Sequence, residues 1–496
     1  MKKKAFRAYD IRGVVGEDFS IADIIQLGKA FASLLRGHKH QKVIIGRDGR
    51  FSSPNLSEAF IEGLMSSGVT VLDCGLVPTP LLYFSAHHAK ADGAVMVTGS
   101  HNPPEHNGFK MMLKEKPLCG AELQKLHSLL KNKKFRIEKG SRKKVNYTNE
   151  YLDFLLRDFQ QNYGTSALKV AWDTGDGAAG PILKKLLHKL PGTHYHINES
   201  VDGFFPAHPP DPTEPDNVKQ LAYIVKEKKC DFGIAFDGDG DRLSVVDPEG
   251  QLIWADQLLP IFAEEVLATH PGAFILADVK SSYLLKNIIS NLGGNFVLCP
   301  CGHSQIKIKM KEIHSPLACE MSGHIMFADR ALGFDDAIYA ALRLFGIFSN
   351  KSLTFKEWLD LQPKSFKSKA ILIPSKHKFQ KIKKLKDYLK SEDKHFADID
   401  GIRVETKEGW WLIRASNTEE HLVVRIEAST YKGFMSLLEK IKYYLEKTGI
   451  KNLISLALDK GYIPQVNNGS LKSNRTKSSL MEKQEEITAS KLIQKH

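Results

Sequence analysis

Cysteine is scarce in this sequence, and long apolar runs are missing. The 496 residues include six cysteines. Only Cys299 and Cys301 lie close together, without the second pair that a zinc site needs. This scarcity argues against a disulfide-stabilised secreted fold and predicts a reduced, cytoplasmic protein. The basic start MKKKAFRAYD is followed by no apolar segment, so we expect no signal peptide. No stretch reaches the length of a membrane span.

Several catalytic and nucleic-acid-binding motifs are also missing. The pattern G-x-x-x-x-G-K-[ST] is absent, so a nucleotide phosphoryl donor is not indicated, and no G-x-S-x-G hydrolase elbow occurs. The net charge is +13, but no zinc finger, aromatic RNA-binding signature or basic zipper accompanies it. Basic runs such as residues 376–390 are typical of a solvated helix face. The positive surplus fits acidic small molecules, because Arg and Lys bind phosphate.

A unit of short apolar strands alternating with helices occurs three times in a chain that is too long for one core. The three units lie at residues 43–100, 169–237 and 274–320. This alternation predicts parallel sheets covered by helices on both faces. Each unit delivers a polar loop at the end of its last strand, at residues 98–107, 237–242 and 320–324. Because strand ends carry the chemistry in such sheets, we expect the three loops to share one cleft.

The predicted fold class is α/β, with three similar mixed-sheet α/β domains and a smaller C-terminal α+β domain around a central cleft. In the last domain, residues 401–413 have a hairpin pattern and residues 434–445 have helical spacing. Polar connectors predict the domain boundaries. The four domains are expected at residues 1–145, 146–250, 251–366 and 367–465. Residues 466–496 are polar and are predicted to form a disordered tail.

The sharpest chemical signal is the run FDGDGDR. Its carboxylates, Asp237, Asp239 and Asp241, occupy alternate positions of a glycine-rich turn that follows an apolar strand. Three neighbouring like charges predict a bound cation, and oxygen ligands favour Mg²⁺ over zinc. An EF-hand loop is excluded, because its sixth position would be Arg242 and its twelfth Pro248. A solvated acidic turn is the remaining alternative.

A serine stands at a strand end in the stretch TGSHNPPEHNGFK. Ser100 follows the apolar residues 94–97, with His101 beside it and Lys110 ten residues further on. A polar surface loop is the plain alternative. A serine that itself carries the phosphoryl group, beside a metal that neutralises it, fits both the acidic run and the missing hydrolase and nucleotide motifs.

Three further motifs are individually weak. FRAYDIRG near the start contains Tyr9 and Arg12, and a solvated end is the usual explanation for such a cluster. EMSGH offers a carboxylate, a hydroxyl and an imidazole that can bind sugar hydroxyls. RASNT places one guanidinium with hydroxyls and an amide on a turn, which suits a phosphate dianion. Each of these could also be an ordinary turn.

Taken together and in this order, the five motifs resemble those of the α-D-phosphohexomutases, specifically the bacterial phosphomannomutase/phosphoglucomutase branch, over about residues 5–465. The resemblance implies an isomerase that interconverts mannose 1-phosphate and mannose 6-phosphate, and the corresponding glucose pair. It implies one Mg²⁺ per chain, and hexose 1,6-bisphosphate as intermediate or activator. Hexose phosphates are the expected partners, without nucleic acid or membrane, and a monomer or weak homo-oligomer is expected.

The resemblance also implies roles for individual residues. Ser100 resembles the phosphoserine and a metal ligand, with Asp237, Asp239 and Asp241 as the other ligands. His101, Lys110 and Arg242 match positions around the transferring phosphoryl group, and Tyr9 and Arg12 line the same site. Lys110 and His303 match candidates for proton transfer, and Lys280 matches a cleft residue. Glu320 and Ser322 resemble the pair that binds the sugar hydroxyls, with His324 beside them. The loop that binds the non-reacting phosphate matches Arg414, Ser416, Asn417 and Thr418.

Two rival functions stay open at this point. Phosphoglucosamine mutase is the nearest, although that branch usually opens with a Gly-Thr-Asp-Gly-type motif where this chain has FRAYDIRG. A non-catalytic sugar-phosphate-binding protein is the rival of another class, and Ser100 with the acidic run argues against it. The serine motif departs from the family at Gly99, where alanine is usual.

Overall fold

The computed structural model describes residues 1–35, 41–132, 134–416 and 420–450. These residues form sheets of seven, five, four and five strands in chain order. The predicted tail, and Asn417 and Thr418 of the RASNT motif, lie outside the described residues. Within the described ranges, no helix combines the length and the hydropathy needed to cross a bilayer.

The first domain is built on a sheet with strand order β1-β5-β4-β2-β3-β7, and β6 pairs with β5. Val43 and Ile45 pack into one hydrophobic cluster and Ile44 into another. Because successive side chains of a strand point to opposite faces, both faces of this sheet are covered. Its elements are β1 (Ile11–Val14), α1 (Ile21–Leu34), β2 (Lys42–Arg47), α2 (Ser53–Met65), β3 (Thr70–Leu76), α3 (Thr79–His88), β4 (Gly93–Val97), β5 (His106–Leu113), β6 (Lys116–Pro117), α4 (Ala121–Asn132) and β7 (Ser141–Lys144).

The second and third domains repeat the plan with fewer strands. Their strand orders are β12-β11-β10-β8-β9 and β14-β13-β15-β16. The second contains α5 (Thr148–Asn162), β8 (Lys169–Asp173), α6 (Gly180–Leu187), β9 (Thr193–Ile197), α7 (Lys219–Glu227), β10 (Phe232–Phe236), β11 (Leu243–Val246) and β12 (Leu252–Ile253). The third contains α8 (Ala255–Thr269), β13 (Phe274–Asp278), α9 (Leu284–Asn291), β14 (Asn295–Cys299), α10 (His303–Ile313), β15 (Leu317–Cys319), β16 (Ile325–Phe327), α11 (Ala337–Asn350) and α12 (Phe355–Leu361).

The fourth domain is smaller, and its described strands all pair antiparallel, in the order β17-β21-β20-β19 with β18 beside β21. Trp411 and Ile426 of the sheet pack with Phe434 and Leu437 of the last helix. Its elements are β17 (Phe366–Lys367), β18 (Ile371–Pro374), α13 (Lys378–Ser391), β19 (Ile402–Glu405), β20 (Gly409–Ala415), β21 (His421–Ala428) and α14 (Tyr431–Lys447).

The mixed-sheet fold class is confirmed, whereas the parallel pairing that the alternation of strands and helices predicts is wrong for one strand next to each functional loop. In each of the first three sheets one strand after the functional loop runs antiparallel to the strand before it: β5 beside β4, β11 beside β10 and β16 beside β15. The connecting loops are too short for the crossover that parallel neighbours need. Each functional loop is therefore a tight return at the end of a central strand.

One hydrophobic cluster joins the first three domains. It includes Leu82 of the first, Trp172 of the second and Phe345 of the third. Polar contacts add to it, because the Tyr151 hydroxyl donates to the Asp336 carboxylate at 2.9 Å. This shared core holds the three return loops in fixed relative positions.

Candidate active site

Ser100 lies just past the end of β4 and faces the acidic loop that follows β10. Its Oγ donates a hydrogen bond to Asp237 Oδ2 at 2.7 Å and lies 3.3 Å from His101 Nδ1. The residue is fully buried and has a φ of 50°, a left-handed conformation that is uncommon for serine. Its N–H donates to Thr98 Oγ1 at 2.7 Å. The structure thus brings together the serine and the acidic run that the sequence singled out.

The three carboxylates of the acidic loop are fully buried. One oxygen from each of Asp237, Asp239 and Asp241 lies within 4.8 Å of the others. Within the part of the chain that the structure describes, Asp239 Oδ1 and Asp241 Oδ1 are buried without a hydrogen-bond partner. Burial raises the pKa of Asp237 well above its usual value, and the two neighbouring carboxylates raise it further. This donor set fits a hard divalent cation, and the acidic site is able to hold a metal.

Lys110 supplies positive charge to the same loop from the first domain. Its Nζ donates to Asp239 Oδ2 at 2.6 Å and to Asp241 Oδ2 at 2.5 Å. Burial alone would lower the pKa of Lys110, but these carboxylates raise it above its usual value. Burial likewise would raise the pKa of Asp239, and Lys110 lowers it below its usual value. Lys110 is therefore protonated in this arrangement.

Two histidines of the third domain share one carboxylate beside Arg242. Arg242 Nε donates to His324 Nε2 at 3.0 Å, so His324 carries its proton on Nδ1. His324 Nδ1 and His303 Nδ1 lie 3.2 Å and 2.9 Å from Asp335 Oδ2. The two rings stack with centroids 4.9 Å apart. Burial lowers the pKa of His303 and Lys307 lowers it further, although Asp335 acts in the opposite direction.

The buried Glu320 pairs with the half-buried Lys280 beside Ser322. Lys280 Nζ lies 3.6 Å from Glu320 Oε1 and 3.2 Å from Asp278 Oδ2. Burial would raise the pKa of Glu320, but Lys280 and other cationic neighbours lower it to about 2. Among the described residues, the buried Ser322 Oγ has no hydrogen-bond partner. A carboxylate beside such a hydroxyl can bind the hydroxyl groups of a sugar.

Arg414 and Tyr9 reach the cleft from the fourth and first domains. Arg414 Nε and Nη2 lie 3.0 Å and 2.8 Å from Asp400 Oδ2. The same oxygen accepts from the Cys301 N–H at 3.2 Å, and the Tyr9 hydroxyl donates to the Cys301 carbonyl at 2.7 Å. Three domains therefore meet at Cys301. Ser416 follows Arg414 in the return between β20 and β21, and Asn417 and Thr418 lie outside the described residues.

Arg12 contacts the serine loop from β1. Its Nη1 donates to Asn102 Oδ1 at 2.7 Å and to the Gly99 carbonyl at 3.2 Å, and its Nη2 donates to Asp10 Oδ2 at 2.6 Å. Burial lowers the pKa of His101 well below its usual value, and Arg242 and Arg12 contribute to the shift. A neutral imidazole therefore lies beside Ser100.

Models of four domains from one enzyme family match this chain in order. The alpha/beta/alpha domains I, II and III of phosphoglucomutase/phosphomannomutase match residues 3–137, 149–250 and 254–366, and the C-terminal domain matches residues 373–442. The chain belongs to the phosphoglucomutase/phosphomannomutase family. This confirms the predicted superfamily, its isomerase class and the fold of three similar domains followed by a smaller one.

Relatives and a solved structure match this chain over most of their length. The phosphomannomutase/phosphoglucomutase of Pseudomonas syringae pv. tomato is 41% identical over 427 residues, which cover 86% of this chain and 91% of that protein. The phosphoglucomutase of Neisseria gonorrhoeae is 38% identical over 447 residues, covering 89% and 96%. The X-ray structure of a phosphoglucomutase/phosphomannomutase family protein from Burkholderia thailandensis has a TM-score of 0.85 at 36% identity, covering 90% and 98%.

Sequence reasoning missed several residues of this phosphoglucomutase/phosphomannomutase site. Thr79 Oγ1 donates to Asp239 Oδ2 at 2.5 Å, yet Thr79 begins α3 and belongs to no motif. Asp335 and Asp400 were missed as well. The acidic pair directly before the apolar helix α11 is the signal that could have drawn attention to Asp335. Nothing in the local sequence marks Thr79 or Asp400, because their role comes from contacts between domains.

Proposed function

We propose that this chain interconverts the 1- and 6-phosphates of mannose, and also those of glucose, through phospho-Ser100 and a hexose 1,6-bisphosphate. The observation that carries the proposal is the 2.7 Å hydrogen bond from Ser100 Oγ to Asp237, inside a buried set of carboxylates. The relatives named above support both substrate pairs, since one is a phosphomannomutase/phosphoglucomutase and the other a phosphoglucomutase.

One Mg²⁺ is the proposed cofactor, with Ser100, Asp237, Asp239 and Asp241 as its ligands. The two carboxylate oxygens left without a partner among the described residues support this assignment. When bound, a divalent cation offsets charge on the phosphoryl group in transfer. Arg242, Lys110 and the neutral His101 surround the same position and add to that stabilisation.

The transfer step balances with groups of this chain. The free hydroxyl oxygen of the sugar phosphate forms a bond to phosphorus, and the bond from phosphorus to Ser100 Oγ breaks. The hydroxyl proton passes to His303, whose Nδ1 lies 2.9 Å from Asp335 Oδ2. Lys110, which is protonated beside two carboxylates, is the proposed donor to the departing Ser100 oxygen. In the second half of the cycle the bisphosphate has turned over, so that its other phosphate faces Ser100. The same steps then run in reverse and return a phosphoryl group to Ser100.

Substrate binding draws on the remaining residues, and a monomer or a weak homo-oligomer is the proposed state. Lys280, Glu320, Ser322 and His324 are proposed to bind the sugar hydroxyls, with Tyr9 and Arg12 beside the serine loop. Arg414, Ser416, Asn417 and Thr418 are proposed to bind the phosphate that does not react. A guanidinium suits this role, because it binds phosphate in two-point geometry. This phosphate-binding loop has to accept either phosphate of the bisphosphate.

Intact-mass measurement tests the role of Ser100. After incubation with glucose 1,6-bisphosphate, the wild-type protein should gain one phosphoryl group, and Ser100→Ala should gain none and lose its turnover. Ser128→Ala, on an exposed turn of α4, is the matched control and should behave as wild type. A wild-type protein without a phosphoryl group, together with full activity in Ser100→Ala, would refute the mechanism.

A second assay tests the substrate class. Turnover of mannose 1-phosphate, glucose 1-phosphate and glucosamine 1-phosphate is compared in coupled reactions. We expect turnover of the first two. A clear preference for glucosamine 1-phosphate would indicate a phosphoglucosamine mutase, and binding without turnover of any of them would indicate a sugar-phosphate-binding protein.

The metal assignment is tested at Asp239. Asp239→Ala should lower Mg²⁺-dependent turnover steeply while the fold stays intact, and chelation should reduce wild-type turnover in the same way. Asp216→Ala, at an exposed position that pairs with the surface Lys219, is the control. Normal turnover in Asp239→Ala would contradict the metal site.

A further inference from the structure

We infer that Arg50 is a positioning residue that sets the orientation of Ser100, and that position 99 must be glycine because the Arg50 guanidinium occupies the space of a side chain there. The inference rests on the proposed function of Ser100. Arg50 lies in the loop between β2 and α2 and belongs to none of the five motifs. It is buried, with 1% of its surface exposed.

Arg50 uses every hydrogen-bond donor of its guanidinium, which has five N–H groups. Four of these bonds go to backbone carbonyls of the serine loop. Nη2 donates to Ser100 at 2.7 Å and to Asn102 at 2.5 Å, and Nη1 donates to Pro103 at 2.5 Å and to His106 at 3.0 Å. The fifth bond runs from Nε to Asp48 Oδ2 at 3.1 Å.

The Asp48 carboxylate contacts the serine loop at the Gly99 N–H and the start of α2 at Ser53. Its Oδ2 accepts from the Gly99 N–H at 3.2 Å, and its Oδ1 accepts from Ser53 Oγ at 2.5 Å. The Asp48–Arg50 pair is fully buried, so each charge depends on the other for compensation. Together the two residues bind N–H and carbonyl groups on both sides of Ser100.

The conformation of Ser100 explains why the hydrogen bonds from Asp48 and Arg50 are needed. A non-glycine residue in the left-handed region costs about 1–2 kcal/mol and persists only where its surroundings hold it. The peptide plane before Ser100 is held by Thr98 and Arg12. The plane after Ser100 is held by Arg50 through the Ser100 carbonyl. Without Arg50 this second plane loses that hydrogen bond, and the loop should hold the left-handed conformation of Ser100, and with it the direction of Ser100 Oγ toward Asp237, less firmly.

The absence of a side chain at Gly99 leaves room for the Arg50 guanidinium. A Cβ at position 99 would lie 2.5 Å from both Cζ and Nε of Arg50 and 2.7 Å from the His106 carbonyl oxygen. These distances are too short for any side chain while the guanidinium stays in place. Gly99 and Arg50 therefore act as one unit, and changes at the two positions should not be additive.

Changes at Arg50 or Gly99 should lower turnover more than substrate binding, because the Arg50 side chain contacts the backbone of the serine loop. Arg50→Ala and Gly99→Ala should each lower kcat at least tenfold with little change in KM. Arg50→Lys should retain more turnover than Arg50→Ala, since an ammonium still donates to carbonyls. Arg47→Ala, at an arginine of the same strand end whose side chain donates to the Asp48 carbonyl at 3.4 Å and, among the described residues, to no carbonyl of the serine loop, should leave kcat unchanged.

A double-mutant cycle is the deciding experiment. In the Arg50→Ala background, Gly99→Ala should cost less than in wild type, because the guanidinium that it would displace is gone and only the contact with the His106 carbonyl oxygen remains. The ³¹P resonance of phospho-Ser100 should shift in Arg50→Lys and Gly99→Ala and stay in place in Arg47→Ala. If Arg50→Ala fails to fold, the comparison of Gly99→Ala, Arg50→Lys and wild type keeps the test decisive.

Failure of this inference is distinguishable from failure of the proposed function. Independent, multiplicative effects of the two changes, or an unshifted ³¹P resonance, in an active and phosphorylated wild-type background would overturn the role of Arg50 alone. A wild-type protein that neither becomes phosphorylated nor turns over hexose phosphates would overturn the proposed function and this inference together.

Discussion

Lys110 Nζ lies 2.6 Å from Asp239 Oδ2, although the two residues belong to different domains and are separated by 129 positions. Both groups are buried, where opposite charges favour each other's ionised form. The first domain thus provides part of the charge compensation for the acidic loop of the second. Disturbing Lys110 should therefore change both metal binding and stability.

Lys110→Met should destabilise the protein by about 3–5 kcal/mol, the typical cost of leaving a buried charge without its partner. Turnover should fall about 100-fold or more, in the range expected for a lost proton-transfer group. Added Mg²⁺ should raise the Tm of the variant more than that of wild type, because the cation replaces the missing positive charge. Thermal unfolding with and without Mg²⁺ measures this difference.

The control for this experiment is Lys116→Met, at an exposed position on the neighbouring strand β6. It should respond to Mg²⁺ as wild type does. An equal Mg²⁺-dependent shift in Lys110→Met and wild type would contradict a shared charge balance.

Asp335→Asn should lower kcat about 100-fold with a small effect on KM, because the shared carboxylate orients both His303 and His324. Asp335 raises the pKa of His303 against the effect of burial. Removing its charge should therefore move the acid limb of the pH–kcat/KM profile to lower pH. Asp360→Asn, on the exposed face of α12, is the control. An unchanged profile at reduced kcat would argue for a structural role only.

The buried carboxyl group of Asp336 should make the stability of the folded protein depend on pH. Burial, as the largest cause, raises its pKa from 3.8 to about 7, so the folded state binds this proton more tightly than the unfolded state does. Its contribution is fully present below about pH 4 and is lost as the pH rises toward 7. Asn stays neutral and keeps an oxygen that can accept from the Tyr339 N–H at the start of α11.

The stability difference between Asp336→Asn and wild type should therefore change by about 3 kcal/mol between pH 4 and pH 7, in favour of the variant. Apparent Tm values measured across this range for both proteins check the expectation. Two parallel curves would mean that Asp336 does not titrate in the folded protein within this window.

Arg414→Ala should raise KM for hexose phosphates about tenfold or more and change kcat less. A hydrogen bond to a charged group contributes about 1.5–3 kcal/mol, and a guanidinium that binds phosphate loses at least that much when truncated. Steady-state kinetics with glucose 1-phosphate measure the split between the two constants. Lys383→Ala on the exposed face of α13 removes the same charge outside the cleft and should leave KM unchanged.

The strands that carry functional loops were predictable because each is a short apolar run that ends in polar residues. The second unit was expected to end at residue 237, and its strand before the acidic loop is observed at Phe232–Phe236. The third unit was expected to end at residue 320, and its strand before EMSGH is observed at Leu317–Cys319. Strand direction was not readable, because an apolar run is the same in either direction.

The contacts among the loops were not predictable from local patterns. Thr79 bonds to Asp239, and Asp335 lies between two histidines that are 21 positions apart. Neither residue stands in a motif. Their positions follow from how the domains pack along a shared hydrophobic core.

By itself, the sequence determined the family, the order of the four domains and the loops that hold the candidate residues, because motifs and periodicity are local properties of the chain. Only the tertiary structure decided which residues hold the loop that carries Ser100. Gly99 looks like a small departure in the sequence, but in the fold the Arg50 guanidinium fills the space beside it. That relationship joins two separate strand ends of one sheet, and only packing in three dimensions brings them together.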